Sequence, residues 1–172
     1  ESEAWLYVPA SAGEQVWRAT LDAGKPVGLR PVGVTALDVL RVEAGVPWYG
    51  HDVDETVLLP EILSEPYVSY TKGCYIGQEI VARIKYRGHV NRALTGLTFD
   101  GDRVPRPGAV IEADGKDAGR VTSAVHSFAL DRPIALGFVR REHLEPGTAV
   151  TVKDNDLTLA ARITALPFYR RG

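Results

Sequence analysis

The side chain with the clearest chemical potential is the chain's single cysteine, Cys74. A thiol serves as a nucleophile only when its thiolate form is accessible. Lys72 precedes it by two positions and a helix is predicted to begin just after it, and both features would stabilise a thiolate. Gly73 and Gly77 remove side chains on either side, which permits close backbone approach. The alternative is a buried structural cysteine, because free cysteines are among the most buried residues; spacing alone leaves both readings open.

A second candidate is Glu43, in the run Arg-Val-Glu-Ala-Gly that begins at Arg41. It lies off the apolar stripe of the helix predicted there, so it need not face the same core. A carboxylate can accept two parallel hydrogen bonds from a pair of N–H groups, as on the edge of a pterin or a guanine. The alternative is an ordinary solvated charge on a helix.

Basic residues concentrate in one stretch, interleaved with Tyr86. This stretch could contact phosphates or the polyglutamate tail of a cofactor, or it could be a solvated helix face or linker. Because the net charge is -2, direct nucleic-acid binding is not expected. The four histidines show no metal-ligand spacing, so no metal site is expected. The basic residues are Arg83, Lys85, Arg87, His89 and Arg92.

These residues are positioned by two kinds of segment. A short strand is predicted over 5–8, and three helices over about 11–24, 35–45 and 77–87, the first opened by a capping box of Ser11 and Glu14. After about residue 90, short strands alternate with turn signals, which indicates a small closed antiparallel barrel or sandwich. The predicted class is therefore α+β. The six strands are predicted over 94–99, 109–112, 119–125, 134–139, 149–152 and 157–163.

Composition limits the cellular setting. The 172 residues are 45% hydrophobic and 24% charged, as in an ordinary globular protein. No apolar run is long enough to span a membrane and no signal peptide opens the chain, so no membrane partner is expected. One cysteine excludes an internal disulfide, and we expect a reducing, cytoplasmic location. The chain opens on Glu1 and lacks methionine, so we expect either a trimmed start or an absent N-terminal portion.

Segment 72–79 matches the signature K-G-C-Y-x-G-Q-E, and on this basis the chain resembles the YgfZ family of folate-binding proteins. The run 41–45, followed by Tyr-Gly-His-Asp at 49–52, resembles the R-x-E-A-G…Y-G-x-D block shared with the glycine cleavage T-protein. Segments 119–123 and 166–168 look like strands of that superfamily's C-terminal barrel.

This resemblance implies a C-terminal portion of such a protein. Residues 1–90 would be part of an α/β folate-binding domain, and residues 91–172 the β-barrel domain. The implied cofactor is tetrahydrofolate or a one-carbon derivative, with Glu43 contacting the pterin and Arg41 and Arg83 as further cofactor-binding residues. Cys74 would be the catalytic residue, within a motif that also contains Lys72, Gly73, Tyr75, Gly77, Gln78 and Glu79.

The resemblance also implies a function. We expect a folate-binding accessory protein that supports iron–sulfur cluster assembly or repair, and thereby transfer-RNA modification, with iron–sulfur proteins or assembly factors as its clients. One alternative is a tetrahydrofolate-dependent aminomethyltransferase of the glycine cleavage type. Another is a non-catalytic interaction module. Whether the chain is an enzyme is left open, with a folate-dependent one-carbon transferase as the candidate activity.

Overall fold

The computed structural model describes residues 4–62 and 68–169. Within these ranges lie three α-helices and a closed barrel of six antiparallel strands, so the predicted α+β class is confirmed. No helix in the described part of the chain is long and apolar enough to cross a membrane. The elements are α1 (Gly13–Gly24), α2 (Val34–Glu43), α3 (Gln78–Arg87), β1 (Arg92–Phe99), β2 (Val110–Ala113), β3 (Lys116–Ser127), β4 (Arg132–Arg140), β5 (Ala149–Asp154) and β6 (Leu157–Thr164).

The N-terminal segment differs from its predicted form. Residues 5–8 form no strand, and the capping box expected at the start of α1 does not form. A 3-10 turn over 10–12 leads into the helix instead, with Ala12 as the N-cap. The side chain of Glu14 pairs with Arg18 one turn along, at 2.5 Å, and is therefore not used as a cap.

Contacts divide the chain into two units, Glu1–Leu37 and Asp38–Gly172. The first unit contains α1, and the second contains α3 and the whole barrel. The predicted domain boundary near residue 90 stays a prediction.

The barrel closes in the order β1-β4-β3-β2-β5-β6. Two of its hairpins turn through residues with positive φ, Asp114 and Gly115 after β2 and Asn155 after β5. Asp, Asn and Gly are the residues that adopt this conformation most readily. The local sequence therefore fixes where these strands end.

The barrel has apolar side chains on both surfaces of part of its wall. All six strands contribute to the interior cluster, which includes Leu97, Ile111 and Ile163. A second cluster lies on the outer surface of β1, β4 and β3, where Val42 of α2 and Phe168 pack. Strand β4 is consequently buried on both faces, which explains its continuous apolar run from 133 to 139.

An ion pair fastens the loop before β2 to the end of β5. Arg106 donates from Nε to Asp154 Oδ1 at 2.9 Å and from its backbone N–H to Oδ2 at 3.1 Å. These bonds from Arg106 hold the pKa of Asp154 below its ordinary value. A carboxyl whose pKa is depressed on folding stabilises the fold above its unfolded pKa and loses that contribution as the pH falls.

We therefore expect Asp154→Asn to lower the urea midpoint of unfolding at pH 6 by an amount that shrinks as the pH falls below about 4. The measurement is urea denaturation followed by circular dichroism at a series of pH values. Asp156→Asn changes an exposed carboxyl in the adjacent turn and serves as the control. A gap between wild type and Asp154→Asn that does not vary with pH would contradict this assignment.

Candidate functional site

The end of α2 is shaped by a glycine cap. Gly45 has φ +70°, and its N–H donates to Val42 O at 2.9 Å while Val46 N–H donates to Arg41 O at 2.8 Å. These two bonds form a Schellman motif, which needs a left-handed residue at the position of Gly45. A Cβ there would also lie 2.9 Å from that of Leu166. The glycine of the Arg-x-Glu-Ala-Gly run thus turns the following loop back toward the helix.

Arg41 is the centre of a buried polar network at this turn, its side chain only 4% exposed. Its Nη1 donates to Asp52 Oδ2 at 2.5 Å, Nη2 to Ser123 Oγ at 2.7 Å, and Nε to Asp38 Oδ1 at 2.7 Å. The guanidinium also lies 5.0 Å from the ring centre of Trp48. All three guanidinium nitrogens are thus engaged by protein groups, and they join α2 to the loop and to β3.

Asp52 completes the network from the loop side. Its side chain is fully buried, with Oδ1 accepting from Thr122 Oγ1 at 2.5 Å and Oδ2 accepting from the backbone N–H of Trp48 at 3.0 Å. A buried carboxylate is stabilised by a cationic partner and by hydrogen-bond donors. Asp52 has both, and it therefore serves to join the loop to α2 and β3.

A β-bulge in β3 determines which of its side chains face the candidate site. The register of β3 against β4 shifts between Val121 and Ser123, which inserts Thr122 as an extra residue. Val121 belongs to the interior cluster, whereas Val125 belongs to the outer one. Because a bulge reverses the alternation of the residues after it, Ser123 and its successors at odd positions face α2 instead of the barrel interior.

Glu43 meets this same face of β3. The residue is 7% exposed, and its Oε1 accepts from Ser127 Oγ at 2.6 Å and from the backbone N–H of Ala129 at 3.2 Å. Its carbonyl accepts the backbone N–H of Phe168 at 3.0 Å. The structure therefore brings Arg41 and Glu43 together as buried charges at one helix end, and both contact β3 or the turn after it.

Sequence reasoning singled out Arg41 and Glu43 but not their partners on β3. Ser123 and Ser127 lie four residues apart on the outer face of β3, on either side of the apolar Val125. A buried hydroxyl requires a hydrogen-bond partner. Two serines at that spacing were therefore an available signal that polar groups from elsewhere approach the strand.

The segment containing Cys74 lies in the loop that leads into α3. The thiol is exposed, as a reactive role requires. Lys72 Nζ lies 5.0 Å from the ring centre of Tyr75, whose backbone N–H donates to Gln78 Oε1 at 3.2 Å. Gly77, with φ +88°, immediately precedes α3. The catalytic assignment of Cys74 stays a prediction, as do the roles of its motif neighbours Gly73 and Glu79.

Arg83 lies on the exposed surface of α3. Among the described residues, no hydrogen bond joins segment 72–79 to the α2–β3 network. Within the basic stretch, Arg92 binds Glu61 at 3.2 Å and lies 4.8 Å from the ring centre of Phe138. The proposed cofactor contact of Arg83 is untested by this arrangement.

Because the thiol of Cys74 is exposed, we expect it to react with a disulfide reagent such as DTNB in the folded protein. Denaturation in urea should raise the rate no more than about 3-fold. The measurement is the absorbance of the released chromophore, with Cys74→Ser as the blank. Protection of 100-fold or more that urea relieves would show the thiol to be buried.

The described fold is a helical segment followed by a closed six-stranded antiparallel barrel. Residues 92–170 match the model of the glycine cleavage T-protein C-terminal barrel domain, and residues 3–72 match that of the GCVT N-terminal domain. The chain belongs to the glycine cleavage T-protein superfamily.

Known relatives agree with this assignment. The chain is 38% identical over 170 residues to an aminomethyltransferase of Streptomyces avermitilis and 33% identical over 168 residues to one of Natranaerobius thermophilus. These alignments cover 96% and 97% of this chain but 46% of each relative. The crystal structure of the glycine cleavage system aminomethyltransferase T from Bartonella henselae matches with a TM-score of 0.78 at 27% identity, over 90% of this chain and 44% of that one. The chain thus spans less than half the length of these relatives.

The function expected from the cysteine signature is wrong. Relatives that align with almost the whole chain are named aminomethyltransferase, and nothing in these comparisons supports iron–sulfur clients or transfer-RNA modification. That expectation was based on the eight residues of segment 72–79. The similarity that shows the superfamily extends through the helices and the barrel.

Proposed function

We propose that this chain forms part of a tetrahydrofolate-dependent aminomethyltransferase of the glycine cleavage type. The proposal is supported by the similarity of 33–38% identity, over 95–97% of this chain, to several proteins named aminomethyltransferase. Because the chain spans 46% of the first two relatives, the activity is proposed for the complete protein and not for these residues alone.

The carboxylate at the end of α2 offers a hydrogen-bond acceptor that suits a folate. Tetrahydrofolate supplies the nitrogen atoms that accept a one-carbon unit, and its pterin ring presents N–H donors along one edge. Both side-chain contacts of Glu43 go to Oε1, so Oε2 is the oxygen proposed to accept from the pterin. Charge-assisted hydrogen bonds of this kind are about twice as strong as neutral ones.

In this proposal Arg41 supports the binding site but does not contact the ligand itself. Its guanidinium nitrogens already bind Asp38, Asp52 and Ser123, so it serves the ligand by holding α2 against β3. Glu43, two residues further along, is fixed by the same packing. Placing a binding carboxylate on a rigid helix end favours a single orientation of the bound ring.

The test uses the complete gene product that contains this chain. Incubated with an aminomethylated lipoyl carrier protein and tetrahydrofolate, it should transfer the methylene carbon to the folate and release ammonia and the free thiol of the carrier. Ammonia release is measured enzymatically, and reactions lacking either the protein or tetrahydrofolate give the background. Absence of both folate-dependent turnover and folate binding would reject the proposal.

A further inference from the structure

We infer that Ser127 is a positioning residue for the ligand-binding carboxylate of Glu43, and that it commits this carboxylate to bind its ligand through Oε2 alone. The inference rests on the proposed function, because that proposal makes Glu43 the acceptor for the pterin. It goes further by naming the residue that sets the orientation of the acceptor.

Oε1 of Glu43 is already occupied by two hydrogen-bond donors of the protein. Ser127 Oγ donates to it at 2.6 Å and the backbone N–H of Ala129 donates to it at 3.2 Å. A carboxylate oxygen has about two lone-pair sites, so these two donors fill Oε1. A ligand with two N–H groups in a row therefore cannot form a fork with one bond to each oxygen of Glu43, and its hydrogen bonds converge on Oε2.

The hydroxyl group of Ser127 is held in one orientation by its two hydrogen bonds. Ser127 is fully buried, and its Oγ also accepts the backbone N–H of Leu130 at 3.1 Å. A hydroxyl has a single proton to donate, and here that proton goes to Glu43. The serine is thus held from both sides, and a held donor fixes the plane of the carboxylate that it contacts.

Two serines of β3 bind the two buried charged side chains at the end of α2. Ser123 binds Arg41 and Ser127 binds Glu43. Both serines face α2 because they follow the bulge in β3. This repetition gives each charged side chain at the end of α2 its own serine on β3.

The test is a double-mutant cycle in the complete protein, with tetrahydrofolate affinity measured by calorimetry. Ser127→Ala should weaken binding about 10-fold in the wild-type background and less than about 2-fold in the Glu43→Ala background. As a control, Thr98→Val removes a partly buried hydroxyl on β1 that bonds Thr164, and it should leave affinity within about 2-fold of wild type. Ser127→Thr, which retains a hydroxyl, should recover most of the lost affinity.

Urea denaturation of every variant separates folding from binding, and Ser127→Cys replaces Ser127→Ala if the alanine variant does not fold. An equal loss of affinity in both backgrounds would assign Ser127 a packing role only and overturn the inference while leaving the proposed function intact. Failure of the wild-type protein to bind tetrahydrofolate would remove the proposed function, and the inference with it.

Discussion

Replacing Arg41 by methionine is expected to lower the free energy of unfolding by about 3–5 kcal/mol, because it leaves a buried charge without its partner. The side chain of Asp52 is fully buried and receives its cationic partner only from Arg41 among the described residues. Thr122 and the backbone of Trp48 would remain as donors to Asp52, but neutral groups do not compensate its charge. The measurement is urea denaturation at pH 7.

Two further variants make this expectation specific to the buried pair. Arg18→Met removes an exposed ion pair with Glu14 and should cost no more than about 1 kcal/mol. The double variant Arg41→Met with Asp52→Asn removes both charges and should be more stable than Arg41→Met alone. A loss below about 1 kcal/mol for Arg41→Met would show that the network does not stabilise the fold.

The elements of this protein could be predicted because each is bounded by local signals. Helix α3 begins after Gly77 and ends before Gly88, and turn residues such as Asn155 terminate the strands. The order of pairing could not be read in the same way. Strand β1 pairs with both β4 and β6, and such long-range contacts leave no mark on the local pattern.

The sequence allowed the α2 side of the candidate site to be predicted, but not the β3 side. Glu43 could be singled out because it lies off the apolar stripe of its helix, and Arg41 because it belongs to the R-x-E-A-G block. Their partners Ser123 and Ser127 lie 82 and 84 residues further along the chain. Which face of β3 these serines occupy depends on the bulge at Thr122, and strict alternation from Val121 would have placed them in the barrel interior.

The second large effect is expected for Glu43→Gln, which should reduce tetrahydrofolate affinity of the complete protein by about 10- to 100-fold. The amide oxygen of glutamine can still accept from Ser127 and Ala129, the two donors that bind Oε1. The amide nitrogen then replaces Oε2 and presents a donor to the donor edge of the pterin. The loss should therefore appear in binding, while the free energy of unfolding changes by less than about 1.5 kcal/mol.

Glu112→Gln is the matched control for the change in charge. Glu112 lies on β2, where it pairs with Lys153 at 2.8 Å, so its substitution removes the same charge from a carboxylate that is not proposed to bind ligand. Its affinity for tetrahydrofolate should stay within about 2-fold of wild type. The Glu43→Gln substitution keeps an oxygen that can accept from Ser127 and Ala129, and it removes the oxygen Oε2 that is proposed to bind the ligand. Unchanged affinity in this variant would therefore mean that the carboxylate serves only to join α2 to β3.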